Sequence, residues 1–600
     1  MNIKFNLIII ILFILFISNV NCKKIKNKKH LTPQRLRRFV EHSKPISLNK
    51  KVWKITEIEN IFSAQIELTF GIRQRNIVEL EDFVWRVSDP NDSLYGSYKT
   101  FEEIKEWVKP LDESIDAVKN WLIENDINEF TVTKSGDFIR TIVSIDKAEE
   151  LLSVRYNKMV HKLSKQSFFR SLDPYTIPRE LYDHIDFIGG VNHLPLLSPR
   201  PKESSGSAGG GGGGKVNGIG YELESLRNNK QIKSFNDKKV AARNGDPYLS
   251  PDLIRKEMNV SQTSTNSTHL GNSQAIAQFL KEYFSPSDLK IFQYRFGLEP
   301  SQVDNIIGPN QNLNPGIETA LDIQYIMAMA PDVPTWIVST GGLHEGQEPF
   351  LDWLVDLSSN PKLPLVHSIS YGDDESSIGL AYTDRVDTEF KKYAAMGRTI
   401  VFSSGDFGVG CNDDCDSFSP GWPASSRFVL AVGGVIKKKD GSIIGDEISG
   451  GGFSNYFSRP WYQVDECSSY IEWLNGSLSS FYNQSGRGFP DISSFSENVV
   501  ILYKDKLMPI GGTSASAPII AGLLSLINDQ RLQKNQSPIG LFNPLLYKIA
   551  RDHPNSFLDI DFGENNYKCC TNGFKSKSGW DPVTGLGLPN FDELVKYCLE

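Results

Sequence analysis

Cysteine is rare in this chain, with 7 in 600 residues, and histidine nearly as rare, with 9. So few cysteines in so long a chain exclude a small disulfide-stapled scaffold. Cys411 and Cys415 have the spacing of half a zinc site, but no second Cys/His pair stands elsewhere to complete one. Positive charge is not in excess: the net charge is −8, which argues against nucleic acid as a partner. Beyond the first 22 residues no apolar run approaches the length of a membrane span.

What is present is a normal globular composition, 40% hydrophobic and 23% charged, in a chain long enough for two or more domains. Residues 1–22 read as a secretory signal: Lys4, an apolar stretch over 7–17, then small and polar residues up to Cys22. Its removal leaves no stable membrane association. Secretion places Cys411, Cys415, Cys467, Cys569, Cys570 and Cys598 where disulfides persist. Sequons at Asn91, Asn259, Asn266, Asn475, Asn483 and Asn535 fit a glycosylated secretory protein.

Residues 23–38 are basic and read as a solvated tail. Over 50–195, extended stretches (52–55, 130–143) mix with helical ones (77–87, 101–122), enough for an α+β domain within 23–198. Residues 199–245 then read as a linker, with six consecutive glycines from Gly209 to Gly214. From 246 to 600, helical patterns (273–284, 316–329, 350–357, 378–396, 518–529) alternate with short apolar strands (334–339, 365–370, 399–403, 428–432). That alternation indicates an α/β domain whose parallel sheet is flanked by helices, with its site at the carboxyl ends of the strands.

Gly511-Gly512-Thr513-Ser514 follows an extended stretch at 499–503 and precedes an apolar helical run. This sets Ser514 on a glycine turn at a helix N-terminus, where unpaired N–H groups and the helix dipole favour negative charge. A serine there can attack a carbonyl and help hold the oxyanion. A plain helix cap would use the same residues. A nucleophilic serine needs a base, and beyond residue 245 the only histidines are His269, His344, His367 and His553, none in a His-Gly-Thr-His segment. Either Ser514 is inert or a carboxylate serves it.

Glu318 and Asp322 are four apart on one predicted helix, with no Lys or Arg within a turn of either. Buried together, such a pair shares a proton and one pKa rises, which suits a base that works in acid. Asp406 ends a predicted strand in Ser404-Gly405-Asp406, where it is either a turn residue or a partner for the oxyanion.

These three segments resemble the sedolisin family of serine-carboxyl peptidases. Supporting matches are Gly346-Gln347-Glu348-Pro349-Phe350, Ser370-Tyr371-Gly372-Asp373-Asp374-Glu375, Ser449-Gly450-Gly451-Gly452-Phe453 and Gly579-Trp580-Asp581-Pro582-Val583-Thr584-Gly585. The resemblance implies a subtilisin-like sheet over 246–600 and a ferredoxin-like propeptide domain over 23–198, with the linker cut on activation. It implies Ser514 as nucleophile, Glu318 as base, Asp322 behind it and Asp406 at the oxyanion. Phe407 departs from the family's serine at that position, and its ring is expected to narrow the site or desolvate Asp406.

The resemblance also implies one structural Ca2+, held by Asp559, Ile560, Lys577, Gly579 and Asp581. Two carboxylates with backbone carbonyls suit that hard cation. Ser370 to Gly372 and Ser449 to Gly452 are expected to edge the substrate groove. The implied activity is an acid peptidase of the secretory pathway, lysosomal or secreted. It is made as a proenzyme inhibited by its own propeptide and releases tripeptides from polypeptides with a free N-terminus. The alternatives are an acid endopeptidase with an open groove and an inactive peptidase-like binding protein.

Overall fold

The structure, a computed structural model, describes residues 53–162, 167–193, 246–261, 269–340, 349–357, 360, 362–411, 416–567, 569 and 572–600, with the backbone of Arg37–Phe39 and Lys202–Glu203. The expected signal segment, the basic tail up to residue 36 and almost all of the 199–245 linker lie outside the described residues. Among the described residues no helix is long and apolar enough to cross a membrane.

The N-terminal elements build a four-stranded antiparallel sheet in the order Thr131–Val132, Phe138–Ser144, Gln65–Ile72, Ile185–Gly189. In chain order that is 2-3-1-4, the ferredoxin-like arrangement. Ile66, Leu68, Phe70, Val118, Trp121 and Leu122 share its core. The expected helix over 101–122 is two helices, Phe101–Val108 and Asp112–Glu124. Pro110 lies between them and cannot donate to a continuous ladder. Thr100 and Glu103 close a capping box on the first.

The C-terminal elements build an eight-stranded sheet. Its order is Asn305–Ile307, Thr335–Ser339, Gln274–Gln278, Val366–Ile369, Thr399–Ser403, Leu430–Lys437, Ile443–Gly445, with Ile492–Phe495 also on Leu430–Lys437. All pairings are parallel except the one to Ile443–Gly445. The segment read as a helix over 273–284 is instead the strand Gln274–Gln278 near the middle of the sheet, with every residue buried. A strand covered on both faces shows no period-two alternation, so its pattern cannot be told from that of a buried helix.

The first strand in the chain, Gln274–Gln278, sits between the third, Thr335–Ser339, and the fourth, Val366–Ile369. The winding direction reverses between the first and fourth, which opens a crevice at their carboxyl ends. Alternate strand residues feed two cores. Ile276, Val401 and Val432 join the helices Ile317–Met329 and Thr513–Gln533. Ala277, Ile400 and Phe402 join Leu380–Ala395 and Pro349–Leu357. The second core also takes in Leu80, Val84, Phe138 and Phe187, so the N-terminal domain shares apolar packing with the sheet domain. Cys411 and Cys569 form a disulfide across 158 residues, while Cys467 and Cys598 are buried and free.

Candidate active site

The helix Thr513–Gln533 begins directly after Gly512, whose φ of 139° suits only glycine. A Cβ at Gly512 would lie 2.7 Å from Oδ2 of Asp406. Ser514 is therefore in the first turn, 5% exposed. Pro518, one turn on, has no N–H to give the carbonyl of Ser514. The hydroxyl of Ser370 reaches that carbonyl instead, at 3.3 Å.

The helix Ile317–Met329 packs against this one through Gly522: a Cβ there would meet Cβ of Met329 at 2.6 Å and the carbonyl of Ile326 at 2.9 Å. Such close approach brings Glu318 and Asp322 of one helix to Ser514 of the other. Glu318 and Asp322 are 2% and 0% exposed. Oδ1 of Asp322 accepts from the Ser370 hydroxyl at 2.8 Å, and Oδ2 accepts from Nε2 of Gln278 at 3.3 Å. Gln278 ends one of the two strands flanking the winding reversal, and Ser370 directly follows the other. Neither oxygen of Glu318 makes a well-formed hydrogen bond, and the Ser514 hydroxyl is the group close enough to favour its ionised form. A loose contact of this kind is normal before substrate arrives.

Burial pushes the Glu318 carboxyl well up, and the nearby charges of Asp322, Glu282 and Asp406 add to the rise. Burial also raises Asp322 well above the usual carboxylate range, against the two hydrogen bonds it accepts. The pair thus holds protons at pH values where ordinary carboxyls have lost them. Asp406, 5% exposed, accepts from the N–H and hydroxyl of Thr513 at 2.7 and 3.0 Å, capping the Ser514 helix. The Phe407 ring is 51% exposed.

No histidine enters this group among the described residues. His367 is buried between Trp353 and Tyr393 with Nε2 against the Pro364 carbonyl, and burial lowers it to about 3. His344 lies outside the described residues.

Two family profiles match this chain: the Pro-kumamolisin activation domain over residues 62–194 and the Subtilase family over 309–538. The chain is 37% identical over 554 residues to tripeptidyl-peptidase 1 of Homo sapiens, covering 89% of this chain and 92% of that protein. The chain belongs to the sedolisin family of serine-carboxyl peptidases. Tripeptidyl-peptidase 1 of Mus musculus is 36% identical over 553 residues, with the same coverage. The solved Pseudomonas sedolisin, a serine-carboxyl proteinase complexed with two molecules of pseudo-iodotyrostatin, is 24% identical, covers 59% of this chain and 98% of its own, and has a TM-score of 0.48. As a sedolisin the chain is a peptidase made as a proenzyme.

Sequence reasoning placed Ser370 at the groove edge, whereas its hydroxyl turns inward to Asp322. It missed Gln278, because the segment carrying it read as a helix. It also missed Glu282, whose Oε2 accepts the Glu318 N–H at 3.1 Å. The signal for both was a place at a strand's carboxyl end, Gln278 as its last residue and Glu282 one short turn beyond. The glycines of 449–452 have a packing reason: Gly450 donates to the Gly405 carbonyl at 2.8 Å, and a Cβ on it would strike the Ser404 carbonyl.

Of the residues expected to hold calcium, Asp559 accepts from the Ser578 hydroxyl and the Gly579 N–H, and Asp581 accepts from the N–H groups of Lys577, Val583 and Thr584. The loop over 577–581 is thereby brought to Asp559. Asp581 is fully buried, and burial pushes its carboxyl up to about 7. No cluster of three or more His, Cys, Asp or Glu side chains suited to a metal occurs among the described residues, so most ligands would have to be backbone carbonyls and water.

Proposed function

We propose that the chain is an acid-active peptidase that processes itself and then releases tripeptides from free N-termini. The observation that carries the chemistry is the buried Glu318–Asp322 pair standing beside Ser514, with no histidine near among the described residues. In this reading the Ser514 hydroxyl attacks the scissile carbonyl as its proton passes to the ionised carboxyl of Glu318. The negative oxygen that forms is met by the Ser514 N–H and, in acid, by a protonated Asp406. Glu318 returns the proton to the leaving amine, and the amine departs. Water, deprotonated by Glu318, then releases the acyl group and restores Ser514. Asp322 holds the second carboxyl position and shares the proton, with Gln278 and Ser370 fixing its orientation.

The tripeptidyl step is carried over from the relatives, which bear that name. Self-processing has a support of its own. Lys202 and Glu203 pair antiparallel with Gly511 and Ile510, the strand that runs straight to Ser514. The linker thus adds a strand beside the nucleophile turn, as an extended peptide does at a sheet edge. The domain limits taken in this reading are 23–198 for the propeptide, 199–245 for the linker and 246–600 for the peptidase. Localisation follows the chemistry: an acid compartment of the secretory pathway, or the space outside the cell.

For the cation, the fitting set is the carboxyls of Asp559 and Asp581 with the carbonyls of Ile560, Lys577 and Gly579. A bound Ca2+ would give the buried Asp581 carboxyl a positive partner. It would act in stability, not in the reaction.

The deciding experiment compares one peptide with a free and with an acetylated N-terminus. Release of tripeptides from the free form alone is expected. Equal internal cleavage of both would replace this reading with an endopeptidase.

A further inference from the structure

His193 is the last described residue before the linker, 7% exposed, and both of its ring nitrogens lack a hydrogen-bond partner. Its ring lies flat on Tyr382, with centroids 4.6 Å apart and planes 17° apart. Tyr382 opens the helix Leu380–Ala395 of the peptidase domain, while His193 falls within the stretch matched by the activation-domain profile. Phe187 of the N-terminal sheet meets the same tyrosine edge-on at 5.5 Å. The imidazole is therefore a flat apolar plug at the seam between the two domains.

We propose that His193 is an acid latch: neutral, it seats the activation domain on Tyr382, and protonated, it cannot stay there. A protonated imidazole carries two N–H donors, and neither ring nitrogen has an acceptor among the described residues. The neighbouring charge makes matters worse. Arg170, on the strand Ser167–Ser171, donates its Nε to the His193 carbonyl and repels a second cation. From the facing helix, Arg385 and Glu389 are already paired with each other at 3.3 Å, and Arg385 with Asp186 at 3.1 Å. Beyond them Lys392 is paired with Asp137 at 2.8 Å. No carboxylate acts on the His193 ring among the described residues. Burial, with Arg170, lowers this histidine to about 3.

The sign follows from linkage. A histidine lowered in the closed form stabilises closure fully above its ordinary range near 6.5 and loses that contribution as pH falls toward about 3. Within that window the opening constant rises by up to about tenfold per pH unit, so by about a hundredfold between pH 6.5 and 4.5. The consequence for activation rests on the self-processing reading; the latch itself does not.

Two arms separate them. In the full chain carrying Ser514→Ala, hydrogen exchange along Ile185–Gly189 is followed from pH 7 to 4.5 with intrinsic rates divided out. Exchange should accelerate in acid, and adding His193→Phe, which keeps a stacked ring but takes no proton, should remove about a hundredfold of that acceleration at pH 4.5. Equal acceleration in both chains would overturn the latch. In the chain with Ser514 intact, His193→Phe should shift the onset of self-cleavage down by about one pH unit, and an unchanged onset would overturn the latch's role in activation. His193→Tyr repeats both arms with a second ring, and melting at pH 7 confirms that each variant is folded. Acid opening in the first arm with no self-cleavage at any pH would support the latch and sink the self-processing reading.

Discussion

Ser370 and Asp322 are joined at 2.8 Å by a hydroxyl that also reaches the carbonyl of Ser514 at 3.3 Å. One small side chain thus ties the strand Val366–Ile369 to both active-site helices. It also answers the carbonyl that Pro518 leaves without its helical donor. Ser370→Ala should lower kcat by about a hundredfold with KM little changed, because the carboxyl pair loses its alignment and not its charge. It should also cost about 1–3 kcal/mol of stability, since two buried acceptors lose a donor. Steady-state kinetics and denaturant melts check the two effects separately.

Glu318→Gln and Ser514→Ala should each reduce turnover by at least about a thousandfold while leaving the fold intact, since each removes one partner of a unit that acts together. Asp322→Asn should be milder, for it keeps a hydrogen-bonding group toward Gln278 and Ser370. Substantial activity in either of the first two variants would refute the roles assigned to them.

Gly522 sets the distance between the two active-site helices. Gly522→Leu would drive carbon into Met329 and the Ile326 backbone, and separating the helices should cost about 1–3 kcal/mol or more. Activity should fall further than stability does, because Glu318 leaves Ser514 as the helices part. A variant with a lowered melting temperature but normal kcat would show that the helix spacing is not what positions the pair.

Stability should depend on pH in opposite directions for the two parts. Glu318, Asp322 and Asp446 are all raised by burial, the last to about 7. Their contribution is full below the ordinary carboxylate range near 4 and is lost as pH climbs toward 7. At the seam, burial works against the charge on Asp137, but Lys392 and Arg385 outweigh it and hold its carboxyl low. That contribution is present above about 4 and lost below it, in the same sense as the His193 stack. The processed peptidase should therefore melt lower at pH 7 than at pH 4.5, and the proenzyme should show its weakest domain contact in acid. Scanning calorimetry of both forms across this range checks it.

Chelation should lower the melting temperature of the processed enzyme, and calcium at about a hundred times its Kd should restore about 3 kcal/mol. Asp581→Asn should remove that response while leaving the site around Ser514 intact. A melting temperature indifferent to both chelator and calcium would remove the cation from this loop.

Local patterns carried much of this in advance. Ser514 on its glycine turn, the i,i+4 spacing of Glu318 and Asp322, and the strand-end Asp406 all lie within single segments whose backbone geometry follows from a few adjacent residues. The absence of a suitable histidine was legible from residue counts alone. Gln278, Glu282 and the inward turn of Ser370 were not, because each matters only through partners about 36 to 144 residues away. The strand Gln274–Gln278 was misread for a related reason: burial on both faces erased the periodicity that would have named it. By itself, then, the sequence determined which groups are chemically able to act. Tertiary structure decided which of them meet, since the winding reversal of the sheet and the close crossing at Gly522 are what bring buried carboxyls to a serine nearly 200 residues further along the chain.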